Sequence, residues 1–94
     1  MQFVVAGILK PGTEGKLLAL HNEFNEHLAQ PFRKIALAGA LRGKDGKRRG
    51  YLAIIEADSF EEAEAWLDQS PFYANDLYER VEVAEFAPEV GYVE

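Results

Sequence analysis

Histidine is the one side chain whose ordinary titration falls near neutral pH, and this chain carries two, His21 and His27, in the stretch LALHNEFNEHL. An imidazole that moves protons works best when its second nitrogen is held by a carboxylate or another acceptor. Candidates cluster around a proline in LDQSPFYANDLY, where Asp68, Ser70, Tyr73 and Asp76 surround Pro71. Arg42 and Arg49 bound the only basic run, RGKDGKRR, and either guanidinium can neutralise a developing oxyanion. The plainer alternative is that the histidines pack and solvate a helix, Asp68 faces solvent, and Asp76 caps a turn.

The segments around these residues set how they are presented. FVVAGIL is β-branched and apolar and stops at Lys10-Pro11-Gly12, which predicts a strand over residues 2–9. Thr13 is placed to cap a helix running from Glu14 to Gln30, with Pro31 as its end. Leu17, Leu20, Phe24 and Leu28 recur at helical spacing. With Leu17 at zero and about 100° per residue, His21 falls at about +40°, inside the apolar arc, and His27 at about −80°, at its edge. His21 is therefore expected to face the sheet, and His27 to be more exposed or to line one end of a cleft.

KIALAGAL predicts a second strand over 34–41 and GYLAIIEA a third over 50–57, joined through Asp45-Gly46. Ser59 followed by Glu62 has capping-box spacing for a second helix, which Pro71 breaks or restarts. YERVEVAEF predicts a fourth strand over 78–86, with Val81, Val83 and Glu85 on one side. Residues 87–94 form a short tail that can add an edge strand or cross to a partner. The order β-α-β-β-α-β gives a single α+β domain over 1–94, a ferredoxin-like antiparallel sheet with both helices on one face.

The sheet is apolar on both faces. In strand one Val4, Ala6 and Ile8 alternate with Phe3, Val5 and Gly7. In strand two Ile35, Leu37 and Gly39 oppose Ala36, Ala38 and Ala40. This pattern predicts a homodimer through the uncovered face, a dimeric α/β barrel. The 94 residues are 48% apolar and 28% charged, with net charge −6. That balance argues against nonspecific nucleic-acid binding. No cysteine is present, and no ligand spacing announces a metal site. The first apolar run lacks a basic leader and is too short to span a membrane, so a cytoplasmic protein without a membrane partner is expected.

Several stretches together carry a resemblance: the apolar first strand, the early helical histidine, LAGAL at 37–41, the hairpin, and AEAW, PF and VEV near the end. With them the chain resembles the YCII-related family of ferredoxin-like proteins. The resemblance implies a dyad of a first-helix histidine and an aspartate directly before a proline-aromatic step. His21 matches that histidine best, and the aspartate falls on Ser70, a departure in which Asp76 stands as the displaced carboxylate; Asp76, or Ser70 with Asp68, would orient the imidazole. It further implies a cofactor-free lyase or isomerase acting on a small hydroxylated or chlorinated ring. His21 would move the proton, and Tyr73, Arg42 or Arg49 would face the oxyanion. The alternative is a noncatalytic ligand-binding or structural dimer.

Overall fold

The computed structural model of the chain describes residues 1–29 and 34–91. Seven elements follow in order: β1 (Gln2–Leu9), α1 (Glu14–Leu28), β2 (Ile35–Arg42), β3 (Arg48–Glu56), α2 (Phe60–Asp68), α3 (Pro71–Ala74) and β4 (Tyr78–Glu85). The strands form one antiparallel sheet in the order β2-β3-β1-β4. This is the expected ferredoxin-like α+β fold, with the proline break resolved as a separate one-turn helix, α3. Pro31, the expected end of α1, lies outside the described residues.

Local chemistry accounts for the ends. Ser59 has extended backbone angles, and its hydroxyl accepts a hydrogen bond from the Glu62 amide at 3.2 Å, while Glu62 accepts from the Asp58 amide at 3.3 Å. Thr13 departs from expectation. Its φ and ψ of −95° and 3° are not extended, and its hydroxyl donates to the Lys10 carbonyl at 3.0 Å, closing the Pro11-Gly12 turn instead of capping α1. The hairpin is tighter than expected: only 43–47 separate β2 from β3, with Gly46 at φ +78° and the Asp45 carboxylate accepting from the Lys47 amide.

The core lies between the sheet and the helices. Phe3, Val5 and Leu9 from β1, and Ala53 and Ile55 from β3, meet Phe24, Trp66, Leu67 and Phe72. Phe24 stacks on Phe72 with centroids 4.1 Å apart. Burying such a ring contributes about 1.5–3 kcal/mol. On the uncovered face Val4, Ala6 and Ile8 lie beside Ile54, Leu52 and Gly50, and Leu37 pairs with Ile54 while 56% exposed.

Two irregularities in the β2–β3 ladder change which side chains share a face. The register steps from Ile35↔Ile55 to Leu37↔Ile54. The extra residue at Ala36 switches the alternation, so Ile35 joins Ala38 and Ala40 on the helix side rather than Leu37 and Gly39. At the other end Leu41 pairs with Gly50 but Arg42 with Arg48, leaving Arg49 as the extra residue. Strict alternation would place Arg49 on the face of Tyr51; the step places Arg48 there.

Candidate functional site

Between α1 and the helix-side face of β1 and β3 lies a cavity of about 170 Å³. Its walls are largely apolar, from Val5, Phe24, Leu28, Ala53, Trp66 and Leu67. Six polar side chains interrupt them: His21, Asn25, Arg48, Tyr51, Ser70 and Tyr78. No carboxylate lines it among the described residues.

His21 and Ser70 thus reach the same cavity. His21 is exposed at its rim, and its Nε2 lies 3.3 Å from the Asn25 amide nitrogen one helical turn on. If the amide donates, the imidazole is neutral with its proton on Nδ1. At the outer end Arg48 donates from Nη1 to the Tyr51 hydroxyl at 2.8 Å. The Tyr51 proton is left to point elsewhere. Deeper in, Tyr78 is buried. Its pKa is raised well above the ordinary tyrosine range, first by burial and then by the nearby Tyr51 oxygen, with a smaller opposing effect from Ser70. The Ser70 hydroxyl is therefore close to the Tyr78 phenol, yet the two do not reach hydrogen-bond geometry, and Ser70 Oγ is buried without a partner.

Ser70 is the N-cap of α3, but its side chain makes no capping bond. Serine in that position ordinarily accepts from the first turn, and losing such a cap costs about 1 kcal/mol. Tyr78 is fixed from below by a missing side chain: a Cβ on Gly7 would come within 2.5 Å of Tyr78 Cε1. The ring occupies the space that any larger residue at Gly7 would need.

The expected burial of the two histidines is reversed. His27 is 5% exposed and stacked on Trp66 at 4.4 Å, with Phe24 at 6.3 Å. Burial lowers its pKa, and its Nε2 has no hydrogen-bond partner. It does not line the cavity. The buried face of α1 is centred between Phe24 and His27, because Trp66 and Phe72 approach from that side. The even weighting of Leu17 and Leu28 in the helical arc hid this rotation.

The other candidates lie elsewhere. Asp76, at φ +61°, is exposed and accepts from Lys10 Nζ at 2.8 Å; the hydrogen bond and charge of that lysine lower its pKa. Asp68 and Tyr73 border a separate surface pocket with Phe60, Val81 and Val83. Arg42 and Arg49 are exposed and outside the cavity lining, which includes Arg48 instead. Arg48, Tyr51, Asn25, Trp66 and Tyr78 were not singled out by their sequence context. The helical spacing of His21 and Asn25 was the one available signal.

Residues 1–87 match the YCII-related domain. The chain belongs to the YCII-related family. Among solved structures it is similar to 5-chloro-2-hydroxyhydroquinone dehydrochlorinase from Burkholderia phenoliruptrix, in complex with 2,5-dihydroxybenzoquinone. The TM-score is 0.80 and the identity 22%, over 93% of this chain and 94% of that one. At that identity the likeness establishes the shared fold. Rv0793 from Mycobacterium tuberculosis aligns with a TM-score of 0.49 and 18% identity, over 96% and 95% of the two chains. No curated protein matches the chain. Among the described residues, no cluster of three histidine or carboxylate groups is placed to hold a metal ion. No helix there is long and apolar enough to cross a membrane.

Proposed function

We propose that this YCII-related protein is a cofactor-free lyase or isomerase for a small hydroxylated ring, with or without a chlorine substituent. The observation that carries the reading is the cavity itself. Its 170 Å³ is close to the roughly 150 Å³ that accepts one benzene ring. Its polar lining is neutral or cationic, which favours a phenolic or enolic oxygen over a carboxylate-binding cation.

In this reading His21 takes a proton from a ring hydroxyl or from a carbon beside a ring carbonyl. Arg48, acting through Tyr51, holds the oxygen on which negative charge builds. Loss of hydrogen chloride removes one proton and one chloride with its bonding pair. Nothing is oxidised or reduced overall, so the electron count demands no cofactor. The protein of the same fold that eliminates chloride from a hydroxyquinol supports this class of substrate. The uncovered sheet face, with Leu37, Leu52 and Ile54, is assigned to a second copy of the chain.

One observation favours a second reading, a noncatalytic ligand-binding dimer: no described carboxylate orients His21, and Asp76 is engaged by Lys10. Chloride release from a chlorinated hydroquinone separates the two. His21→Ala should lower turnover by about 10²–10⁴-fold while leaving the fold unchanged. Undiminished turnover in that variant refutes the histidine mechanism. Ring binding without any turnover in the native protein supports the second reading.

A further inference from the structure

We propose that Ser70 and Tyr78 form a second oxygen-binding subsite at the inner end of the cavity, receiving a hydroxyl or carbonyl oxygen across the ring from Arg48. The inference rests on the cavity being a ring-binding site and adds a requirement: the ring carries at least two oxygens, set on different sides.

Three facts converge on that end. Ser70 is 3% exposed, lines the cavity, and leaves one donor and two acceptor positions unused. A buried hydroxyl with no partner costs stability, so a chain that keeps one there leaves it for something the cavity admits. Its freedom is not a default of its position. Ser59 starts α2 with its hydroxyl bonded to the backbone, whereas Ser70 starts α3 with its hydroxyl unbonded and beside Tyr78. Tyr78 supplies the second group. Its ring lies against Gly7, with Phe72 edge-on at 6.4 Å, and the Ser70 hydroxyl is a polar neighbour of its phenol. Burial keeps that phenol protonated, so it donates. One incoming oxygen has two lone pairs, enough to accept from Tyr78 and from Ser70 together. Trp66 also lines the cavity, and its Nε1 is likewise buried and unpartnered.

The outer end is distinct in kind. Arg48 is exposed and charged, and its bond to Tyr51 prepares that hydroxyl for an oxygen bearing negative charge. The inner end has no charge, and Ser70 and Tyr78 there are buried. A ring with a single hydroxyl places it at the charged end, and only a second oxygen engages Ser70 and Tyr78.

Calorimetric titration with phenol and with hydroquinone tests this, using the native protein, Tyr78→Phe and Ser70→Ala. Both variants keep the backbone and nearly all of the side-chain volume. The native protein should prefer hydroquinone by about two- to tenfold, the worth of one neutral hydrogen bond, beyond the twofold that its symmetry gives. Each variant should lose that excess while binding phenol within about twofold of native. Phenol and hydroquinone bound alike by the native protein, or an excess retained in either variant, overturns the subsite and leaves the ring-binding cavity standing. Failure of both probes to bind the native protein overturns the cavity reading and the subsite together.

Discussion

His27 offers a direct test of the packing through acidification. Its imidazole is buried against Phe24 and Trp66, with Nε2 unpartnered, and burial holds its folded-state pKa below the ordinary 6.5. Between that depressed value and about 6.5 the unfolded chain binds more protons than the folded one. Stability therefore rises with pH through this window and is lost as pH falls through it. One proton sets the ceiling: the loss approaches, and does not exceed, about 1.4 kcal/mol per pH unit. For a domain of this size, each 1 kcal/mol moves the melting temperature by about 4–8 °C. His27→Phe keeps the stacking on Trp66 and removes both the titration and the orphaned nitrogen. Urea melts of the native protein and His27→Phe from pH 5 to 8 should give stabilities that run parallel at about pH 7 and above and diverge below it, as the native protein alone loses stability. Parallel curves over the whole range refute the assignment of a buried, neutral His27.

Two further outcomes are expected. Gly7→Ala should lower the urea midpoint by the equivalent of about 1–3 kcal/mol, because the new methyl meets the Tyr78 ring and one of the two must shift; an unchanged midpoint refutes the close packing of that pair. Sedimentation at micromolar concentration should give roughly twice the 10.5 kDa chain mass, and Leu37→Glu should shift it towards the monomer; a native monomer refutes pairing through the open face.

Much of the fold was legible because local signals agreed with one another. Pro11-Gly12, Ser59 with Glu62, and Asp45-Gly46 mark boundaries through backbone chemistry that needs no distant partner. The site was less legible because its members are chosen by tertiary contacts. The rotation of α1 that buries His27 is set by Trp66 and Phe72, distant in sequence. The choice of Arg48 over Arg49 follows from one extra residue in a ladder, and a strict two-residue alternation has no means of announcing it. Asp76 is a carboxylate near Pro71 in the chain, but its partner, Lys10, is brought to it from the end of β1. Ser70, taken from the family pattern, does line the cavity with His21.

The contrast between Ser59 and Ser70 bears on how this protein would respond to selection for robustness. The two serines open successive helices, and only the first uses its hydroxyl to secure the backbone. A screen that scored melting temperature alone would treat position 70 as a defect, and would reward substitutions that restored the cap or filled the niche with a methyl group. Thermal tolerance gained there would be drawn from the cavity, as happens where proteins keep strained or unsatisfied groups for their ligands. Position 59 carries no such conflict, and improvements at the start of α2, away from Trp66 and Leu67, can accumulate without reshaping the floor on which a ring would rest.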